Sequence, residues 1–166
     1  MLKFIGIVVI VVSFLALSIP ILLWENSLAK RNLEKKDWQS TRIVQFMFKL
    51  ILKFAGVHIT VKGLEKVPMD RAVLYVGNHR SCFDILVGYA TIPNRMGFVA
   101  KKEMLKWPLL RDWMRNVNCL FLDRQNMKEG LKTILAGIEL AKRGVSVFIF
   151  PAYFTLFNGL QFRPSH

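Results

Sequence analysis

The spacing of hydrophobic and polar residues changes character near residue 57. Before that point the chain has long apolar stretches. After it, short apolar runs bounded by glycine, proline and asparagine alternate with segments of helical period. Strands that alternate with helices are typical of a parallel sheet with helices packed on its faces. The pattern therefore predicts an α/β domain with a mostly parallel sheet, flanked by helices, over residues 58–151.

Five runs have the length and apolar content of strands. They are His58–Lys62, Ala72–Val76, Gly97–Ala100, Asn118–Leu122 and Val145–Phe150. Helices are predicted from about Ile85 to Tyr89, from Pro108 to Arg115 and from Asn126 to Arg143. The last helix has the clearest ends, because Asn126 and Glu129 form a capping-box-like start and Gly144 suits a C-terminal cap.

The N-terminal apolar segment is long enough to cross a membrane. Phe4–Trp24 holds no charged residue, and at about 1.5 Å per residue a helix of this length spans roughly 30 Å, the thickness of a hydrocarbon core. A cleaved signal peptide is the alternative, but its apolar region is normally shorter and precedes a small-x-small site. Ser27-Leu28-Ala29 is a weak candidate for such a site. We therefore predict an uncleaved transmembrane anchor over residues 1–24.

Basic residues after this segment predict its orientation. Only Lys3 and the amino terminus precede it, and the basic residues that follow it are Lys30, Arg31, Lys35, Lys36 and Arg42. Because the more basic flank of a span stays in the cytoplasm, we expect a single-pass protein of the cell membrane. The body of the protein would then lie on the cytoplasmic face.

Residues 25–57 predict a basic linker followed by an amphipathic helix over about 40–56. Polar residues recur there at spacings of three and four and occupy a narrow stripe, which consists of Arg42, Gln45, Lys49 and Lys53. Such a helix can lie in the membrane interface with its lysines toward anionic headgroups. An ordinary helix buried against the domain is the alternative. The width of the apolar face favours the interfacial helix.

Composition agrees with a membrane setting. The 166 residues are 53% hydrophobic, and the formal net charge is +13. Such a positive charge is common in proteins that bind nucleic acid or anionic lipid, but the basic residues here do not interleave with aromatic residues in a nucleic-acid recognition motif. The expected partner is therefore membrane lipid and not nucleic acid.

The candidate chemistry lies at Asn78-His79-Arg80-Ser81-Cys82-Phe83-Asp84, between a predicted strand and a predicted helix. If His79 stays in the loop and Asp84 lies in the first helical turn, the chain can bring the two side chains together. A carboxylate on one ring nitrogen fixes the tautomer and leaves the other nitrogen able to accept a proton. No serine or lysine stands out as a nucleophile, so such a base would act directly on a substrate hydroxyl. Spacing alone leaves a solvated or structural loop histidine open as the alternative.

Four segments, in this order, resemble the motifs of the glycerolipid acyltransferases. They are Asn78-His79-x4-Asp84, Val99-Ala100-Lys101-Lys102-Glu103, Leu120-Phe121-Leu122-Asp123-Arg124 and Val147-Phe148-Ile149-Phe150-Pro151. Over about residues 40–151 the chain is similar to the lysophosphatidate (1-acyl-glycerol-3-phosphate) acyltransferases of bacterial membranes. The combination of four motifs is far more specific than any one of them.

The resemblance implies a role for most of these motifs. His79 would take the proton from the free hydroxyl of lysophosphatidate as that oxygen attacks an acyl thioester, and Asp84 would hold the imidazole. Arg124 would bind the substrate phosphate, since a guanidinium forks onto two phosphate oxygens. Lys101 and Lys102 are further candidates for phosphate binding.

The resemblance also implies the remaining partners. The acyl donor would be acyl-CoA or acyl carrier protein, the product would be phosphatidate for phospholipid biosynthesis, and no metal or bound cofactor is implied. Asn78, Phe121 and Pro151 belong to the motifs but receive no separate role.

The residues after Pro151 depart from the family pattern. In the family the strand ending in Phe-Pro continues Glu-Gly-Thr-Arg and the fold runs on, whereas here Ala152-Tyr153-Phe154-Thr155-Leu156 follows. We expect residues 152–166 to be an atypical tail in place of the rest of the domain, through a truncated or disrupted gene or through divergence. Two functions therefore stay open. One is a membrane acyltransferase, and the other is an inactive membrane-bound remnant that at most binds lipid or a partner.

Overall fold

A parallel sheet forms the centre of the computed structural model, which describes residues 2–150. Within these residues the sheet has four strands, namely β1 (Leu74–Val76), β2 (Met96–Lys101), β3 (Leu120–Leu122) and β4 (Ser146–Ile149). Their order across the sheet is β1-β4-β2-β3, and all three neighbouring pairs run parallel. The predicted parallel α/β core is confirmed.

Six α-helices accompany the sheet in the same part of the chain. They are α1 (Leu2–Leu17), α2 (Ile19–Arg31), α3 (Leu33–Ala55), α4 (Phe83–Thr91), α5 (Leu110–Asn116) and α6 (Met127–Lys142). Short 3₁₀ turns cover Leu64–Lys66 and Lys102–Lys106. Helices α4, α5 and α6 each connect one strand to the next along the chain. Parallel neighbours need such crossovers, because the chain has to return to the same end of the sheet.

The strand predicted at His58–Lys62 does not form. These residues have no regular secondary structure, and all of them are exposed. The segment lies between two glycines in the left-handed region, Gly56 (φ 76°) and Gly63 (φ 82°), which redirect the chain at either end. A β-branched composition favours a strand only where a neighbouring strand supplies hydrogen-bond partners, and this segment has none in the sheet.

The predicted span over Phe4–Trp24 is not one continuous helix. α1 and α2 meet at Ser18 with a bend of 51°. Pro20 lies in the first turn of α2, where its ring and its missing N–H interrupt the hydrogen bonding of a longer helix. Within residues 2–150 no single helix is long and apolar enough to cross a bilayer, and only α1 and α2 taken together have the length and composition. The transmembrane anchor therefore stays a prediction.

The amphipathic helix predicted at 40–56 is the C-terminal part of the longer helix α3. One apolar side of α3 packs inside the protein and includes Val44, Ile51 and Leu52, which are at most 5% exposed. Another apolar side is open, and its residues are Phe46, Leu50 and Phe54. Both alternatives thus describe part of the helix, and contact of the open side with a membrane stays a prediction.

Two hydrophobic clusters hold the elements together. The larger one combines Leu22 of α2 and Val44 of α3 with Phe98 of β2 and Trp113 of α5. The smaller one lies between the sheet and α6 and consists of Val99, Leu122, Leu140, Val145 and Val147. The N-terminal helices therefore share a core with the α/β domain.

Candidate active site

His79 and Asp84 lie together after the carboxyl end of β1. One more hydrogen bond, from the Gly77 N–H to the Ile149 carbonyl (3.1 Å), prolongs the strand before the chain leaves the sheet. A Cβ at Gly77 would lie 2.9 Å from the Phe148 ring, so a larger residue would have to displace that ring. The loop then returns into α4 and places Nδ1 of His79 3.2 Å from Oδ2 of Asp84. A loop histidine thus faces a carboxylate in the first turn of a helix.

The loop itself holds Asp84 in place. Oδ2 of Asp84 accepts hydrogen bonds from the backbone N–H groups of Arg80 (2.6 Å) and Ser81 (2.8 Å). The Ser81 N–H, with help from the Arg80 N–H and the neighbouring His79, lowers the pKa of the Asp84 carboxyl against the opposing effect of burial. The carboxylate is therefore ionised at neutral pH and has a defined position beside the imidazole.

The imidazole of His79 also packs against an aromatic ring from the core. The ring centroids of His79 and Phe150 are 4.4 Å apart, and the ring planes are inclined by 36°. Phe150 directly follows β4 and is 1% exposed. Its ring in turn packs on Phe98 and Phe148, at centroid distances of 5.7 and 5.0 Å. The histidine is thus supported by buried aromatic rings, and the exposed fraction of its side chain is 20%.

The predicted phosphate-binding residues lie at the end of β2 or directly after β2 and β3, at the same edge of the sheet. The parallel register pairs Lys101 with Leu122, so Lys102 and Asp123 are the next residues on the two strands. Nζ of Lys102 lies 2.8 Å from Oδ2 of Asp123. Arg124 follows in the loop that leads to α6. The carboxyl edge therefore carries both the histidine–aspartate pair and the basic residues.

Comparison with known proteins assigns the chain to a family. Residues 58–158 match the family model named Acyltransferase. The chain belongs to the Acyltransferase family. The match begins at the segment before β1 and includes all four motifs that resemble those of the glycerolipid acyltransferases, so the family resemblance is confirmed.

Several members of the family are similar over much of this chain. The 1-acyl-sn-glycerol-3-phosphate acyltransferase of Borreliella burgdorferi is 27% identical over 103 residues, which are 62% of this chain and 41% of that protein. The enzyme of the same name from Bacillus subtilis is 28% identical over 105 residues, 63% of this chain and 51% of that protein. The chain thus spans about half, or less, of the length of these curated relatives.

A solved structure of the family has the same fold. The crystal structure of the 1-acyl-sn-glycerophosphate acyltransferase PlsC from Thermotoga maritima superposes with a TM-score of 0.73 at 25% sequence identity. The superposition covers 90% of this chain and 59% of that one. It therefore includes the N-terminal helices as well as the α/β domain.

In this member of the Acyltransferase family, His79 and Arg124 follow opposite outer strands of the sheet. β4 and β2 lie between β1 and β3, so the outer strands are about 14 Å apart at a spacing of about 4.8 Å per strand. A single substrate that touches both residues has to lie along the carboxyl edge, with the Arg124 side chain reaching toward β4. The phosphate-binding role of Arg124 stays a prediction.

The remaining motif residues have local surroundings of their own. Asn78 is exposed in the loop before His79. Phe121 is half-buried in β3, and its carbonyl accepts a hydrogen bond from the Thr133 hydroxyl of α6 (3.1 Å). Lys101 is exposed at the end of β2. Pro151 and the tail at 152–166 lie outside the described residues.

Two residues at the site received no role from the sequence. Asp123 could have been noticed, because an acidic residue next to Arg124 stands at the end of one strand while Lys102 stands at the end of another. Phe150 gave no such signal. Its contact with His79 depends on β4 lying next to β1, and strand order is not visible in a single sequence.

Proposed function

We propose that this chain transfers an acyl group from an acyl thioester to the free hydroxyl of lysophosphatidate. The observation that carries the proposal is the 3.2 Å contact between His79 Nδ1 and Asp84 Oδ2 at the carboxyl edge of a parallel sheet. Ligands of open α/β sheets bind at this edge. Membership of the Acyltransferase family, and relatives named for this activity, support the choice of reaction.

The proposed mechanism uses His79 as a general base. With Nδ1–H directed at Asp84, the lone pair of the imidazole is on Nε2. Nε2 accepts the proton of the substrate hydroxyl as the oxygen attacks the thioester carbonyl. A C–O bond forms, the C–S bond breaks, and the proton passes from the imidazolium to the departing thiolate. No acyl-enzyme intermediate is required.

Asp84 stabilises the charged form of the base. Its carboxylate is ionised at neutral pH, because backbone N–H groups hold its pKa below the ordinary value. A negative charge beside Nδ1 favours the imidazolium that forms when Nε2 takes the proton. The same contact selects the tautomer and the ring orientation before substrate binds.

Arg124 is the proposed ligand of the substrate phosphate. A guanidinium can donate two parallel hydrogen bonds to phosphate oxygens, which gives orientation as well as charge. The substrate would lie along the carboxyl edge, with its hydroxyl at His79 after β1 and its phosphate toward Arg124 after β3. Lys101, exposed at the end of β2, can add positive potential to the same edge.

The proposal places the reaction at the cytoplasmic face of the cell membrane, with acyl-CoA or acyl carrier protein as the donor. Large apolar side chains on α1 and α3 support attachment to lipid, because they are open to the surroundings. They include Phe4, Val9, Val12, Phe46, Leu50 and Phe54. A single-pass anchor formed by α1 and α2 is the corresponding proposal for topology.

An inactive membrane-bound protein is the second candidate. It is favoured by an apolar side of the sheet that is open in residues 2–150, because a sheet face without a covering layer indicates an incomplete domain core. Leu74 of β1 is 62% exposed and lines a groove of about 460 Å³, and α6 exposes Ile134 and Ile138 along it. The residues after Pro151 also lack the Glu-Gly-Thr-Arg sequence of the family.

One experiment separates the two candidates. The unmodified chain is expressed in a host whose own enzyme is inactivated, and its membranes are assayed for labelled phosphatidate made from lysophosphatidate with each donor. Product is expected, and His79→Ala should lower it at least ~100-fold, because general base catalysis is typically worth about 10²–10⁴-fold. His58→Ala, at an exposed loop histidine, is the matched control and should retain activity. An unmodified chain that reaches the membrane but forms no product would favour the inactive protein.

A further inference from the structure

The ion pair between Lys102 and Asp123 connects two loops of the candidate site. Lys102 begins the 3₁₀ turn after β2, and Asp123 begins the loop after β3. Because Lys101 pairs with Leu122 in the parallel register, these two residues are brought side by side at the carboxyl edge. The Nζ–Oδ2 distance is 2.8 Å.

Asp123 also organises its own loop. Its second oxygen, Oδ1, accepts the backbone N–H of Gln125 at 3.0 Å and so closes a turn around Arg124. The loop then ends at Asn126, whose side chain accepts the N–H groups of Lys128 and Glu129 and caps α6. Arg124 therefore lies between two anchored residues.

The electrostatics of the two side chains favour the ion pair. Hydrogen bonding between the two side chains raises the pKa of Lys102 and, together with the Gln125 N–H, lowers the pKa of Asp123. An ammonium group already bonded to a carboxylate has much of its charge compensated. The attraction of Lys102 for a phosphate is therefore weakened while Asp123 stays bonded to it.

We propose that Lys102 is a positioning residue, which acts through Asp123 to hold the loop that presents Arg124, and is not itself a phosphate ligand. This inference rests on the proposed function, because it assigns a role within the same site. It differs from the sequence-based prediction that Lys101 and Lys102 are both candidates for phosphate binding, because Lys101 ends β2 exposed, whereas Lys102 is bonded to the neighbouring loop.

Three variants distinguish positioning from direct binding. Binding of lysophosphatidate is measured for Lys102→Met, Asp123→Asn and the double variant, beside binding of the phosphate-free monoacylglycerol. If Lys102 positions the loop, both single variants weaken lysophosphatidate binding alike, roughly three- to fivefold, as expected for one exposed ion pair. The double variant is then no worse than either single one.

Direct phosphate binding gives a different pattern. Asp123→Asn would release Lys102 and leave binding equal or tighter, while Lys102→Met alone would weaken it. That result would overturn the inference.

Two further results bear on the positioning role. Lys102→Arg should keep most of the affinity for lysophosphatidate, because arginine can also pair with Asp123. If Lys102→Met and Asp123→Asn weakened monoacylglycerol binding by the same factor as lysophosphatidate binding, the inference of a role at the phosphate would be wrong.

A second measurement does not depend on substrate. Hydrogen exchange of the Gln125 backbone N–H reports whether the loop stays closed, and Lys102→Met should accelerate it severalfold. The matched control is Lys142→Met, which breaks an exposed pair with Glu139 on α6. Unchanged exchange at Gln125 overturns the inference whatever the substrate data show. A wild-type chain that binds no lysophosphatidate overturns the proposed function, and the exchange rates still decide whether Lys102 orders the loop.

Discussion

Asp37 of α3 forms an ion pair with Arg143, which directly follows α6. Oδ2 of Asp37 lies 2.8 Å from a guanidinium nitrogen of Arg143, and Oδ1 lies 2.7 Å from Nζ of Lys36. Asp37 is fully buried in α3, whereas Arg143 follows α6, 106 residues later. A buried carboxylate with two cationic partners thus ties the N-terminal helices to the α/β domain.

Asp37→Ala should destabilise the protein by about 3–5 kcal/mol. The substitution removes the carboxylate that contacts Lys36, which is 5% exposed, so part of the charge of this buried ammonium, which Glu25 also offsets, is left uncompensated. The free energy of unfolding is measured in detergent by denaturant titration with tryptophan fluorescence. Glu139→Ala, which breaks an exposed pair with Lys142, is the control and should cost no more than about 0.5 kcal/mol. Equal small losses for both variants would contradict a stabilising role of the buried pair.

Asp84→Asn should change the pH dependence of stability. The pKa of Asp84 in the folded chain is below its ordinary value of 3.8, so the carboxylate stabilises the fold above that pH and this contribution is lost as pH falls through the folded-state pKa. We expect the wild type to exceed the variant in unfolding free energy between about pH 5 and 7, with a difference that shrinks below about pH 4. Asp70→Asn, at an exposed aspartate, is the control. A difference that is independent of pH would show that the charge of Asp84 is not the cause.

Phe150→Leu should impair turnover more than substrate binding. The Phe150 ring supports the His79 imidazole, and small displacements of a catalytic group can lower rates by one or two orders of magnitude. We expect kcat to fall roughly tenfold or more with little change in KM. Phe48→Leu, which removes a ring packed on Tyr89, tests whether loss of any core ring has this effect. An equal fall in kcat for the two variants would refute a specific role.

Arg124→Lys should weaken recognition of lysophosphatidate but not of the acyl donor. Lysine keeps the charge and loses the forked pair of donors, which costs roughly 1–3 kcal/mol of binding. The KM for lysophosphatidate should therefore rise about tenfold while the donor KM stays nearly constant. Steady-state kinetics with each substrate varied in turn give both values, with Arg115→Lys on α5 as the control. A parallel rise in both KM values would argue against phosphate binding by Arg124.

Local rules predicted most of the secondary structure. Asn126 caps α6 through the N–H groups of Lys128 and Glu129, and Gly144 follows the helix with φ at 75°. Four of the five predicted strands form close to their predicted positions. Caps, turns and periodicity are properties of neighbouring residues, so they act in the same way whatever the rest of the chain does.

Two features of the structure that the sequence did not predict have a common cause. The segment His58–Lys62 has the composition of a strand but no neighbouring strand to pair with, and the apolar run Phe4–Trp24 is divided near Ser18. At that bend the indole N–H of Trp113 donates to the Ser18 hydroxyl at 2.7 Å. Composition measures what a segment can form in isolation, whereas pairing and packing depend on distant residues.

The candidate site also combines one local contact with contacts between distant residues. His79 and Asp84 are five residues apart, so one tight loop and the first turn of α4 are enough to bring them together, and the sequence allowed this contact to be expected. The contacts of His79 with Phe150 and of Lys102 with Asp123 join residues on different strands. They exist because β4, the last strand in sequence within residues 2–150, lies between β1 and β2, and because β2 and β3 pair in one register. Strand order and register are decided by the packing of the whole sheet, so only the tertiary structure could reveal them.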